Sequence, residues 1–187
     1  MTTWKKTTLI FFFIFFSAAV SAQVEVAHLF SKGFSATGFG GFLHIGAAIS
    51  EGDELSGELG LYYFSTKGSH LAFAPVLAGY RHTFNGSGSG FYIEPAAGYT
   101  FGSTDIQKTD AGGNPLYDAA GHEVDQKISG FTAALGLGYI IPSASVPFNI
   151  GLRYEHLFVS GDPSQNMLSL RVSYSLAIGR KYTARRP

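Results

Sequence analysis

The sequence predicts an all-β protein, an eight-stranded antiparallel up-and-down transmembrane β-barrel with both termini in the periplasm. Three observations carry that expectation. Segments of about ten residues alternate apolar with small or polar side chains, and side chains of a strand point to opposite faces with period two. An export signal precedes them. The face opposite the apolar one is mostly Gly, Ser, Ala and Thr, which is too poor in charge for a solvated surface but suits the crowded interior of a narrow barrel.

The export signal comes first in the chain. Lys5 and Lys6 form a basic start, an apolar run covers 9–20 (LIFFFIFFSAAV), and Val20-Ser21-Ala22 places small residues where a signal peptidase cuts. A helix needs about 20 apolar residues to span a bilayer, so this run is a secretory signal rather than an anchor. Residues 1–22 are therefore expected to leave, with Gln23 as the new N-terminus and 23–187 as one outer-membrane barrel domain. There is no cysteine, which excludes disulfides and thiolate metal sites. The full chain has 13 basic and 13 acidic residues. Loss of Lys5 and Lys6 leaves a small acidic excess, which argues against nucleic acid as a partner.

The strands follow in order. The first candidate is 24–30 (VEVAHLF). In 38–50, Phe39, Leu43, Ile45, Ala47 and Ile49 oppose Gly38, Gly40, His44 and Gly46. In the third, Leu55, Leu59, Leu61 and Tyr63 oppose Ser56, Glu58, Gly60 and Tyr62. The fourth, 70–84, is apolar on both faces near its start. Its phase is set by Arg81 facing away from Val76, Ala78, Tyr80 and His82, and Pro75 marks a bulge or an unpaired position. In the fifth, Phe91, Ile93, Pro95, Ala97, Tyr99 and Phe101 oppose Tyr92, Glu94, Ala96, Gly98, Thr100 and Gly102. In the sixth, Phe131, Ala133, Leu135, Leu137 and Tyr139 oppose Gly130, Thr132, Ala134, Gly136 and Gly138. In the seventh, Phe148, Ile150, Leu152, Tyr154, His156 and Phe158 oppose Asn149, Gly151, Arg153 and Glu155. The eighth, 168–179, sets Leu168, Leu170, Val172 and Tyr174 against Ser169, Arg171 and Ser173.

Turn-rich segments join the strands: EGDE (51–54), TKGS (66–69), NGSGSG (85–90), PSASVP (142–147) and SGDPSQN (160–166). One connection, about 103–127, is long. With both termini periplasmic, parity places it outside the cell, where barrels of this kind carry their longer loops. A short basic tail, 180–187, ends the chain.

The inward face carries an expected ion network: Glu25, Glu58, Glu94 and Glu155 against Arg81, Arg153 and Arg171, with His44 beside them. Isolated charges enclosed in a barrel are costly, whereas paired and hydrogen-bonded ones are tolerated. If the last hairpin turns near Pro163, Glu155 faces Arg171 as a cross-strand pair. Together with Phe42, Tyr62 and Tyr92, the network fills the lumen and excludes a diffusion pore. Aromatic residues gather at both ends of the apolar face, as membrane interfaces select.

The long loop supplies the candidate interaction residues: Asp105, Asp110, Tyr117, Asp118, His122, Glu123 and Asp125. Two turn units, Asp110 to Gly113 and Asp118 to Gly121, repeat eight residues apart, and they suit a hairpin continuing strands five and six above the membrane. The acids lack the order of an EF-hand loop, so solvation explains them better than calcium. His122-Glu123 does not extend to a zinc-protease motif, and no nucleophile elbow is present. His156 and Ser160 sit four apart near a strand end, but Glu155 points the other way and cannot orient His156. The expectation is a chain that is not an enzyme and needs no metal or cofactor.

The stretches FYIEPAAGYTFG, GFTAALGLGYII, FNIGLRYEHLF and LSLRVSYSLAIG, behind a signal followed directly by Gln, resemble the small outer-membrane β-barrel domain proteins of Bacteroidota, the PorT-like group. In architecture they are similar to OmpX and the OmpA membrane domain. The resemblance covers nearly the whole mature chain and implies an outer-membrane location, eight strands and a plugged lumen. It implies two kinds of role: a non-enzymatic envelope scaffold or interaction platform working through the external loops, or an accessory subunit of a secretion or assembly complex. Its partners would be outer-membrane lipid and other envelope or secretion-complex proteins. A soluble secreted ligand-binding barrel is the third reading. Such barrels usually end on an aromatic residue, whereas RKYTARRP follows the last strand here, with Tyr182 the nearest aromatic.

Overall fold

A computed structural model describes residues 18–31, 34–66, 69–86, 88–104, 108–110, 112, 114–124, 128–142, 148–159 and 164–176. Eight strands follow one another: β1 (Ala18–Ser31), β2 (Phe34–Ala48), β3 (Asp53–Thr66), β4 (Ser69–Thr83), β5 (Gly90–Thr104), β6 (Gly130–Ile141), β7 (Phe148–Val159) and β8 (Gln165–Leu176). Each pairs antiparallel with the next, and β8 pairs with β1, so the sheet closes without an edge. Closure leaves every strand laddered on both sides, which is what allows a sheet to sit in hydrocarbon.

The predicted phase holds in all eight strands. Leu59, Leu61, Leu135, Leu152 and Leu170 point out and are exposed, whereas Tyr62, Glu58, Thr132, Arg153 and Arg171 point in and are buried. Apolar groups outside and charges inside invert the arrangement of a water-soluble barrel. The outer face carries aromatics towards both ends. Tyr99, Phe101, Phe131 and Phe158 lie towards the end where β5 leads into the long loop, and Phe91, Tyr139 and Phe148 towards the other.

Glycines on the inner face make room for rings. Gly60 stands directly opposite Phe42, and Gly40 opposite Tyr62, so each ring lies over its neighbour's bare Cα. The Phe42 and Tyr62 rings then meet edge-on, centroids 4.9 Å apart.

Several expectations change. The last hairpin is centred ahead of Pro163, because Leu157 faces Gln165. Glu155 therefore lies opposite Met167, and Arg171 opposite Gly151, so the expected Glu155–Arg171 pair does not form. Pro75 introduces no bulge. It interrupts the β3–β4 ladder, which resumes in the same register on either side (Leu59 with Val76, Tyr62 with Phe73), as expected of a residue without an N–H. The eighth strand, described over 165–176, begins before the predicted start, residues 177–179 of the predicted span lie outside the described residues, and the long connection lies between Thr104 and Gly130. β1 begins at Ala18, so the last residues of the expected signal peptide pair with β2 and β8 in the uncleaved chain. The rest of that segment, 1–17, and the basic tail, 180–187, lie outside the described residues.

Candidate functional site

The lumen is filled in layers. Towards the long-loop end sits an apolar plug of Ala27, Leu29, Phe64, Leu71, Phe73, Ile128, Leu157, Val159 and Met167. Below it the ion network brings together all eight residues expected from the sequence. β8 and β1 contribute the first pair, Arg171 and Glu25, which stand directly opposite each other, Nε to Oε1 2.8 Å. The other arm of Arg171 bridges Glu58 at 3.1 Å and Glu94 at 3.2 Å. Arg153 bonds Glu58 through one terminal nitrogen and Glu155 through Nε at 3.0 Å. Arg81 holds Glu94 at 3.1 Å and covers the Tyr92 ring, 4.7 Å from its centroid.

His44 lies between two carboxylates, Nδ1 to Glu58 at 3.1 Å and Nε2 to Glu54 at 2.9 Å. Carboxylates only accept, so both ring nitrogens donate and His44 is an imidazolium. Hydroxyls add to the shell, while Arg81 Nε and one terminal nitrogen each of Arg153 and Arg171 have no hydrogen-bond partner among the described residues. Tyr62 donates its one O–H to Glu25 at 2.6 Å, with Glu155 3.2 Å from the same hydroxyl, and Ser169 donates to Glu25 at 2.6 Å. Charges this deep persist because each is met by several oppositely charged or hydrogen-bonding groups.

Glu54 was missed among the sequence candidates because EGDE reads as a turn. Its parity with Ser56 and Glu58 was the available signal, and β3 starts early enough to point it inward, towards His44 and, at 3.7 Å, Arg81. The atoms His44 Nδ1, Glu58 and Glu94 lie close enough to hold a metal ion. Arg171 bridges those same two carboxylates, so a guanidinium already supplies the positive charge there.

Residues 105–107 and 125–127, on which a continuation of β5 and β6 into the loop would rest, lie outside the described residues. The described residues between 108 and 124 build a small unit from the two turns. Asp110 Oδ1 accepts from the Gly112 and Asn114 N–H groups at 2.8 and 2.9 Å, and Asp118 Oδ1 accepts from Ala120 and His122 at the same distances. The ends join in a ring: the Lys108 N–H donates to Val124, Val124 to Leu116, and Leu116 to Lys108. Tyr117, Asp118, His122 and Glu123 are exposed on it. The His122 amide, donating to Asp118, holds that carboxyl below its ordinary range. Asp105 and Asp125 lie outside the described residues.

The outer rim at the long-loop end carries imidazoles tied to a neighbouring strand. His28 meets Thr37 at 2.9 Å and Ser35 at 3.1 Å, His70 meets the Tyr63 hydroxyl at 2.7 Å, and His156 meets Asn166 at 2.7 Å. His156 also packs on Phe158. Ser160 lies outside the described residues.

Similar shapes occur among solved structures. The Neisserial surface protein A matches with a TM-score of 0.56 at 16% identity, covering 84% of this chain and 96% of that one. Ail, the attachment invasion locus protein of Yersinia pestis, matches with a TM-score of 0.58 at 13% identity, covering 84% and 97%. The fold is that of the small eight-stranded outer-membrane barrels. No protein-family model matches the chain, and no curated protein matches it in sequence.

Proposed function

We propose that the chain is a non-enzymatic barrel of the outer membrane, with both termini periplasmic, that serves as an envelope scaffold and presents the 108–124 unit as an interaction platform. One observation carries the reading: the closed barrel is apolar outside and filled by a plug and an ion network inside. Eight strands leave an interior only wide enough for side chains, so transport through the lumen has no path. What remains is the lipid-facing wall and the loop. The loop is built from repeated hydrogen-bonded turns, which favours a surface of defined shape. The accessory-subunit reading, with a PorT-like role in a secretion or assembly complex, draws on the same loop.

Two measurements test this. In a planar bilayer the purified barrel is expected to leave conductance at background, and stable channels would refute the filled lumen. Mild-detergent extraction followed by identification of co-purifying chains separates the roles. A barrel alone supports the scaffold, and a stoichiometric envelope complex lost on deletion of 108–124 supports the accessory subunit.

A further inference from the structure

Among the described residues five carboxylates line the lumen, Glu25, Glu54, Glu58, Glu94 and Glu155, against the guanidiniums of Arg81, Arg153 and Arg171 and the His44 imidazolium. One negative charge is left over, and geometry says where it rests. Glu155 has a single cationic contact among the described residues, Arg153, and a single hydroxyl contact, Tyr62. Both serve another carboxylate at closer range: Arg153 is nearer to Glu58, and Tyr62 lies 2.6 Å from Glu25. Glu155 therefore holds the weaker share of each partner, although it is only 4% exposed.

Beside Glu155 is a cavity of about 20 Å³ between the ion network and the apolar plug. That is room for one small particle, since a water needs roughly 10–15 Å³ by this measure. Gln165 lines it, is itself 4% exposed, and its Oε1 has no hydrogen-bond partner. Thr100 and Thr132 line it too, their hydroxyls 2.6 Å apart, so that one donates to the other and the pair keeps one O–H and its remaining lone pairs for other partners. Leu29, Phe73, Leu157 and Met167 make the remaining wall apolar. The groups facing Glu155 are Arg153 on its own strand, Tyr62 and Glu58 on β3, and Glu25 on β1. The surplus at this wall is negative, and the buried polar atoms without a partner are the Gln165 Oε1 acceptor at the cavity and, in the network behind Glu155, one terminal N–H group each of Arg153 and Arg171.

We propose that this cavity binds one monovalent cation from solvent, a proton or an alkali ion, held between the Glu155 carboxylate and the Gln165 amide oxygen. Either source neutralises the lumen and satisfies the orphaned acceptor. A proton does so as an O–H donated by Glu155, and an alkali ion by taking oxygens of the kind hard cations prefer. Binding to the folded barrel alone stabilises it by mass action.

The test uses the full-chain barrel folded in detergent, wild type beside Glu155→Gln and Gln165→Leu. Glu155→Gln removes the surplus charge with little change of shape, so it is expected to fold. The thermal midpoint is measured in sodium chloride and in choline chloride at equal ionic strength, and the infrared spectrum is searched for the carbonyl stretch of a protonated carboxyl. A sodium-specific rise in wild type, abolished by Glu155→Gln and reduced by Gln165→Leu, assigns the alkali ion. A protonated-carboxyl band in wild type, absent from Glu155→Gln and shifted in Gln165→Leu, assigns the proton. A wild type with neither the sodium effect nor a Glu155-dependent band overturns the proposal.

Discussion

Glu25 and Arg171 face each other across the seam where β8 closes onto β1, with Nε 2.8 Å from Oε1 and neither residue more than 2% exposed. The pair joins the two ends of the chain, and the second arm of Arg171 carries the contact on to Glu58 and Glu94. Arg171→Met therefore strips a cation from three buried carboxylates at once. Removing one partner of a buried ion pair costs about 3–5 kcal/mol. Urea unfolding of the barrel in detergent is expected to show a loss of that order, with part of it recovered in the double variant Arg171→Met, Glu25→Gln. An unchanged midpoint would mean that the seam is held without the pair.

The contact between Phe42 and Gly60 leads to a second prediction. A side chain at position 60 collides with the Phe42 ring, which has the bulk of Tyr62 on its other side. Overpacking of this kind costs about 1–3 kcal/mol, so Gly60→Val is expected to lower the unfolding midpoint. Phe42→Leu in the same chain should restore part of it. Full stability of Gly60→Val alone would contradict the packing.

The loop unit makes a prediction in pH. Asp118 is ionised in the turn and held below its ordinary range by the N–H groups of His122 and Ala120. A carboxyl with a depressed folded-state pKa stabilises the turn above its unfolded pKa, and that contribution fades as pH falls through the folded value. The amide resonance of His122 should follow that titration, with a midpoint below the value of about 3.9 usual for Asp. A midpoint at or above it would show that the turn does not engage the carboxylate. Asp118→Ala should speed proteolysis between 108 and 124 while leaving barrel unfolding unchanged.

The outward face of mid-strand residues carries a further expectation. Leu170 is half exposed on the apolar wall of β8. Arg on the lipid face of a barrel costs about 2–4 kcal/mol at the bilayer midplane. Leu170→Arg is expected to lose that much in liposomes, and a tolerated substitution would argue for water outside the wall.

Most of the barrel was legible in the sequence because its two faces differ so sharply. Gly, Ser and Thr opposite Leu, Phe and Ile set the phase of each strand, and the phase alone placed Glu25, His44, Arg81 and Arg153 in one lumen. Register was harder. The segment 160–166 has several residues suited to a turn, and a small change in its centre moved Glu155 from Arg171 to Met167. Glu54 was hidden by turn-like neighbours. The eight-residue spacing in the loop was visible, but its closure through Lys108, Leu116 and Val124 depends on backbone bonds that no side-chain pattern records.

The apolar face is expected to meet lipid. The most direct measurement places one tryptophan on that face, Leu152→Trp with Trp4→Phe, and reconstitutes the barrel in vesicles of brominated and ordinary phospholipid. Tryptophan in the lipid is expected to give blue-shifted emission that brominated chains near the bilayer centre quench strongly. Water-like emission, unquenched by brominated lipid, would contradict lipid contact.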